Sequence, residues 1–234
     1  MLAVFKRDFG AFYKTPIGYT FSGIMILFIN LTFYFLNVQS GIPDVKPVFF
    51  ISMFGLAFIV PVLTMRLLSE EYKQKTDQLL LTSSLKVSSI VLGKYFAALF
   101  AFVMTLVGTL VIPLILAAYD ALEPVALIGN YVALIVAAGS FISIGLFISA
   151  LTENQLISAL ISWAVFIGIF LSDTFVRSLD ILWLTNVFNW FSIFNRYNSF
   201  TLGLFSAGDI IFYLSISVVF LFLTTRVIEK KRYS

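Results

Sequence analysis

The feature that most constrains the fold is a run of 28 consecutive residues, Val125 to Thr152, without an Asp, Glu, Lys or Arg. About 20 helical residues, at about 1.5 Å each, cross a hydrocarbon core of about 30 Å. Further apolar stretches leave little of the 234 residues for a soluble domain. Only 12% of the residues are charged, whereas soluble domains have about 25%. The sequence therefore predicts a polytopic membrane protein and excludes a soluble fold.

Hydropathy predicts an all-α protein with six transmembrane helices in one domain over residues 1–234. Charged segments between successive spans alternate between the two sides of the membrane. Twelve of the fifteen Lys and Arg residues fall on the side of both termini, whereas the acidic residues divide equally. By the positive-inside rule we expect that side to be cytoplasmic. The predicted spans are Ile17–Leu36, Val48–Met65, Tyr95–Ala118, Val125–Leu151, Leu156–Ser172 and Ile210–Thr225.

Several kinds of chemistry lack the residues that they need. The chain has no Cys and no His, which removes thiolate chemistry and imidazole metal ligands. Gly93-Lys94 is not a phosphate-binding loop, because no glycine stands five residues earlier and Tyr95 replaces the required Ser or Thr. The predicted spans contain no Asp, Glu, Lys, Arg or His, which disfavours ion-coupled transport and an intramembrane enzyme. We expect no catalytic, cofactor or metal site, and the +3 net charge reflects membrane orientation rather than nucleic-acid binding.

Residues 1–15 are predicted to form an interfacial helix in the headgroup plane. A frayed tail is the alternative. Apolar residues recur at helical spacing on one face and charged residues favour the other: Leu2, Phe5, Phe9 and Phe12 against Lys6, Arg7, Asp8 and Lys14.

Residues 67–93 form the longest cytoplasmic loop in this topology. A charged run that begins at Ser69 is followed by three consecutive leucines, Leu79, Leu80 and Leu81. Exposed leucines beside charges are typical of a docking site for another protein. The alternative is that these leucines lie on the membrane surface or pack under their own bundle.

Residues 173–208 are predicted to lie on the outer face. Ile181–Phe205 is apolar enough to resemble a seventh span, but Arg196 would then lie at membrane depth, at a cost of at least about 2.5–3.5 kcal/mol. We expect one or two short helices that dip part-way into the membrane, with Trp183, Trp190 and Tyr197 at interfacial depth. This segment is a candidate part of an exit path, and an inert external cap is the alternative.

Two prolines, Pro61 and Pro113, fall inside the second and third spans, where each removes a helical hydrogen bond and can bend the axis. Such bends have two interpretations: they serve gating, or they are static. The Gly139-x-x-x-Ser143 spacing favours close helix packing over a substrate contact.

The order and spacing of several motifs along nearly the whole chain resemble the membrane subunits of type-2 ATP-binding-cassette (ABC) exporters, most closely the gliding-motility-associated permease branch. The motifs are Phe5-Lys6-Arg7, Thr15-Pro16-Ile17-Gly18-Tyr19, Pro61-x-x-Thr64-Met65-Arg66 before Ser69-Glu70-Glu71, Leu79-Leu80-Leu81-Thr82, Ile90-Val91-Leu92-Gly93-Lys94, Gly145 to Gln155, Phe200-x-x-Gly203 with Asp209, and the basic ending Arg226 to Arg232.

This resemblance implies a half-transporter in a bacterial cytoplasmic membrane. Two permease copies, identical or homologous, would form the pathway, and two separate ATPase subunits would bind ATP and Mg²⁺ and dock on the cytoplasmic face. An accessory membrane or extracytoplasmic protein is a further candidate partner, and no nucleic acid is expected. The loop would hold the ATPase-coupling helix, with the implied contact residues Glu70, Glu71, Thr76, Leu79, Leu80, Leu81 and Thr82.

The chain departs from the family pattern in this loop. Lys75-Thr76-Asp77-Gln78 replaces the usual Gly-Thr-x-Glu, and Ser84-Leu85-Lys86-Val87 lacks the common proline. An amphipathic or hydrophobic substrate suits a chain with 27 phenylalanines, although these rings also suit lipid contact. A membrane anchor or scaffold that holds a soluble partner without translocation is the alternative function.

Overall fold

The computed structural model describes residues 1–42, 44–76, 85–119, 124–178, 192–201 and 207–233. Helix makes up 87% of this part of the chain, which contains no strand. The helices are α1 (Leu2–Lys14), α2 (Pro16–Phe33) with a π-helical turn (Tyr34–Val38), α3 (Lys46–Thr64), α4 (Ser69–Lys73), α5 (Val87–Val107), α6 (Val111–Ala118), α7 (Pro124–Leu151), α8 (Gln155–Ser178), α9 (Ile193–Thr201) and α10 (Ala207–Tyr233).

Six segments of the described chain are long and apolar enough to cross a membrane, which confirms the predicted multi-pass, all-helical architecture. One difference from the predicted bounds is in the third span, which begins at Val87 rather than Tyr95. Hydropathy placed the boundary after Lys94 because a lone Lys is costly inside an apolar helix. In the structure Lys94 is buried against carboxylates, so the helix continues through it and the loop ends at Lys86. The segments are Pro16–Val38, Lys46–Lys73, Val87–Ala118, Pro124–Leu151, Gln155–Ser172 and Ala207–Arg232.

Side-chain contacts define two ends of the helix bundle. At one end, Lys94 contacts Asp8, and Lys231 donates to the carbonyl of Ala150. This end, which we call the basic end, collects α1, α4, the start of α5 and the C-termini of α3, α7 and α10. The opposite end, the far end, joins α9 to α10 through an ion pair between Arg196 and Asp209. The twelve-to-three division of Lys and Arg therefore matches the bundle geometry.

Helix α7 is the central span. In the apolar stretch of α7, 78% of the residues are buried, whereas 17% are buried in the corresponding stretch of α10 and 22% in that of α8. Small residues let neighbouring helices approach it closely. A Cβ on Gly145 would overlap the side chain of Thr64 on α3, and a Cβ on Gly139 would lie 2.7 Å from the hydroxyl of Tyr95 on α5. The close packing predicted at Gly139 is thus present, and Ser140 adds a 2.7 Å hydrogen bond to the carbonyl of Tyr213.

The third span is interrupted at residues 108–110, between α5 and α6. The break lies at the position expected from Pro113, whose ring would clash with the carbonyl of the residue four positions earlier, Thr109. That carbonyl accepts a 3.1 Å hydrogen bond from the hydroxyl of Tyr131 on α7. Pro61, in contrast, lies inside a continuous α3. The same residue type therefore interrupts one span and is accommodated in the other.

Replacing Tyr131 with Phe should lower the free energy of unfolding by about 0.5–1.5 kcal/mol, because the Thr109 carbonyl would lose one of its two hydrogen bonds and keep only the 3.0 Å bond from the N–H of Ile112. Unfolding of the purified protein in mixed micelles measures this. An alanine at 113 has the N–H that proline lacks, so adding Pro113→Ala should recover part of the loss. Equal losses in the single and double variants would contradict this account.

Candidate functional site

The loop after the second span begins with α4, a five-residue helix that contains the predicted contact residues Glu70 and Glu71. Glu70 accepts a 2.6 Å hydrogen bond from Arg66 at the end of the span. Arg66 also donates at 3.2 Å to the hydroxyl of Thr15, the residue between α1 and α2. One guanidinium thus links the loop to the N-terminal segment.

Glu71 belongs to a group of charges with Arg7, Asp8 and Lys94, which we call the charge cluster, and Lys94 is its buried member. The Lys94 side chain is 3% exposed, and its Nζ lies 2.9 Å from Glu71 Oε1 and 3.1 Å from Asp8 Oδ2. Nζ also donates at 2.7 Å to the carbonyl of Leu67. The three contacts match the three donors of an ammonium group. This arrangement satisfies the buried cation, which would otherwise be costly.

Arg7 forms the more exposed half of the charge cluster. It donates at 2.7 Å to Asp8 Oδ1 and at 2.6 Å to Glu71 Oε1. Burial by itself would lower the pKa of Arg7. The hydrogen bonds and the charge attraction from Asp8 and Glu71 together outweigh burial and raise this pKa above its usual range. Two cations and two carboxylates therefore balance one another between α1, α4 and α5.

Helices α7 and α10 support α4 from other directions. The hydroxyl of Ser149 on α7 accepts hydrogen bonds of 3.1 Å from the backbone N–H groups of Leu68 and Ser69, which lie at the start of α4 and have no intrahelical acceptor. Lys231 on α10 places its Nζ 3.7 Å from the centre of the Tyr72 ring, a cation–π geometry. The loop is therefore held by α1, α5, α7 and α10.

Helix α4 ends in a Schellman motif. The N–H of Thr76 donates at 3.0 Å to the carbonyl of Glu71, and the N–H of Lys75 donates at 3.1 Å to that of Tyr72. The motif needs a left-handed residue, usually Gly, just after the helix cap. Lys75 occupies this position with φ of 56°. Lys75 thus adopts a conformation that is usual for glycine.

The structure places the three phenylalanines predicted for the interfacial face of α1 against the bundle. The rings of Phe5 and Phe9 pack at 5.8 and 5.0 Å from the ring of Phe100 on α5, and Phe12 is buried. The expectation that Asp8 belongs to the solvated face is wrong, because its carboxylate turns inward to the Lys94 ammonium. The helix itself is present, and its position in the headgroup plane remains a prediction.

Two of the four residues predicted for the outer segment lie in α9. Arg196 pairs with Asp209 at 2.9 Å, and its guanidinium carbon lies 4.4 Å from the centre of the Phe212 ring. Tyr197 is fully buried in the protein, and its interfacial depth stays a prediction. The stacked rings of Phe194 and Phe54, 4.8 Å apart, join α9 to α3. These contacts attach the short helix to the far end of the bundle.

Six of the predicted site residues lie outside the described part of the chain: Leu79, Leu80, Leu81, Thr82, Trp183 and Trp190. Thr76, the last residue described before the leucines, is exposed. Sequence reasoning missed Lys94, Ser149 and Lys231 as supports of the loop. A basic residue close to the start of a span was the available signal for Lys94. Nothing in the local sequence marks its carboxylate partners, which are 86 and 23 positions away.

No protein-family model matches the chain, and no curated protein matches it. In the part of the chain that the structure describes, no group of three His, Cys, Asp or Glu residues could hold a metal ion. The arrangement at the basic end is suited to holding a short helix and its exposed end in a fixed position.

Replacing Lys94 with Met should lower the free energy of unfolding by about 1–3 kcal/mol, because the Leu67 carbonyl and the two carboxylates lose the ammonium donor, and Asp8 and Glu71 keep only Arg7 as their cation. Lys86→Met is the matched control, since Lys86 is exposed at the same end and should change stability by less than about 0.5 kcal/mol. Unfolding in mixed micelles measures both. Similar small losses in the two variants would show that the charge cluster contributes little.

Replacing Lys75 with Gly should raise the free energy of unfolding by about 1 kcal/mol. The left-handed conformation costs a residue with a Cβ about 1–2 kcal/mol, and the greater freedom of glycine in the unfolded chain offsets part of the gain. Lys73→Gly, inside α4, should instead be destabilising by about 1 kcal/mol. Opposite signs in the two variants test the motif, and a loss in both would contradict it.

Proposed function

We propose that this chain is the permease subunit of an ATP-driven type-2 ABC exporter. Two copies would form the pathway, and two separate ATPase subunits would dock at the basic end, which would face the cytoplasm of a bacterium. The motif order described above and the six-span architecture support this proposal. Both termini would then be cytoplasmic, in agreement with the excess of Lys and Arg at that end.

The observation that carries the proposal is the attachment of α4. A helix that receives force from a partner must be joined to the spans that it moves. Here Lys94 joins α4 to α5, and Ser149 joins it to α7. A flexible surface loop would absorb the same force locally. In the sequence, the exposed Thr76 that follows α4 stands three positions before the leucines at 79–81.

The mechanism that follows starts with ATP binding, which draws the two ATPases together. Their motion would push on the loop that contains α4, and the charge cluster would pass the displacement to α1 and α5. The paired permeases would then open a route near the first, second and fifth spans. Cargo leaving at the far end would pass the segment that contains α9. An amphipathic or hydrophobic cargo fits the phenylalanine-rich spans.

The test is a pull-down of the tagged protein in mild detergent, with partners identified by mass spectrometry. The double variant Leu79→Asp, Leu80→Asp should lose a co-purifying ATPase, because the aspartates would place charge in an apolar contact. Leu2→Asp is the control, since Leu2 is an exposed leucine at the same end and should retain the ATPase. In proteoliposomes, substrate should stimulate the ATPase activity of the unchanged complex but not that of a complex with the double variant.

The absence of any ATPase from the pull-down of the unchanged chain would overturn the proposal. Capture of another soluble protein through the same leucines would then support an anchor or scaffold. Retention of the ATPase by the double variant, with normal substrate stimulation, would leave the permease assignment standing and show that the docking contact is elsewhere.

A further inference from the structure

A cleft at the far end separates the first and third spans. These spans are in contact nearer the basic end, where the hydroxyls of Ser22 and Thr105 lie 2.8 Å apart. A Cβ on Gly108 would lie 2.5 Å from the side chain of Ile26. About 10–17 Å beyond the level of Ile26 and Gly108, by the rise of about 1.5 Å per residue, the spans line a cleft with a volume of about 580 Å³. They therefore meet at one level and diverge towards the far end.

The divergence has a cause in each wall. On one side, the break before Pro113 turns the third span into the separate helix α6. On the other, α2 changes into the π-helical turn, a feature that often occurs at functional sites. Asn37 in this turn donates to the carbonyls of Ile42 and Asp44 at 2.8 and 2.7 Å, and these bonds hold the chain that follows. The cleft is thus built by fixed backbone features rather than by side-chain positions alone.

The walls of the cleft are mostly apolar. Phe33 and Leu116 are about 95% buried and form its floor. Val38 and Tyr119 are 50% and 80% exposed and form its rim. Tyrosine is enriched at the boundary between the hydrocarbon core and the headgroups. The cleft thus has an apolar floor between the spans and an amphipathic side chain at its mouth.

We propose that this cleft binds one acyl chain of a phospholipid from the membrane leaflet at the far end, with the lipid headgroup beside Tyr119. Its volume lies within the range of about 300–1,000 Å³ that is usual for ligand sites. The lining residues stand at the ends of the two spans, where a phospholipid places its headgroup and the adjoining part of its acyl chains. The inference depends on the membrane-spanning helices alone and is independent of the proposed transport function.

Native mass spectrometry tests the proposal on the full chain incubated with palmitoyl-oleoyl phosphatidylglycerol in detergent. One lipid should remain bound after the detergent is removed. Ala118→Trp should reduce the lipid-bound fraction at least tenfold, because Ala118 lines the cleft. Val38→Trp, which fills the cleft from the opposite wall, should do the same. Ala117→Trp is the matched control, since this exposed neighbour is not part of the lining, and should retain the lipid.

Failure of the unchanged chain to retain a lipid would overturn the proposal. Equal retention by the unchanged chain and the three variants would identify an adventitious annular lipid and would overturn it too. If one cleft variant does not fold, the other still decides the question. Glycerophosphoglycerol, the headgroup without acyl chains, should not compete with the lipid, and competition by it would contradict recognition of the chain.

Discussion

Inside a bilayer no water is available to a backbone or side-chain polar group, so every such group needs a partner within the protein. Much of this structure follows from that constraint. The carbonyl freed by Pro113 is satisfied by Tyr131, and Ser140 bonds the backbone of α10. At the basic end, the buried ammonium of Lys94 has three acceptors from two other segments. Several polar groups thus become specific links between two elements.

These links make the two ends of the bundle mechanically different. At the basic end, charges and hydroxyls tie α4 to α1, α5 and α7. Separating the charge cluster would expose buried charges to an apolar environment, at a large cost in free energy. At the far end, the first and third spans stand apart around a cleft. A load applied at the basic end would therefore move several elements together, and relative motion of the spans is easier at the far end.

The sequence predicts the spans well because charge exclusion is a local property of about 20 residues. The asymmetry of Lys and Arg then predicts the two ends of the bundle, since alternation follows from the number of spans. Lys94 shows where this reasoning fails. Hydropathy treats it as a boundary, whereas the structure neutralises it with Asp8 and Glu71 and continues the helix around it. Its partners depend on how α1 folds back on α5, which no local pattern encodes.

The difference between local contacts and contacts that depend on tertiary structure also separates the residues of the candidate site. Glu70 and Glu71 stand out in the sequence as charges after a span, but their roles differ in space. Glu70 pairs with Arg66 one helical turn away, a local contact that spacing alone suggests. Glu71 contacts Arg7 and Lys94 and so depends on tertiary structure. A partner that pushes on α4 would meet resistance through Glu71 and through Ser149, because both tie α4 to other helices, and the Glu70–Arg66 pair adds to it only through the second bond of Arg66 to Thr15.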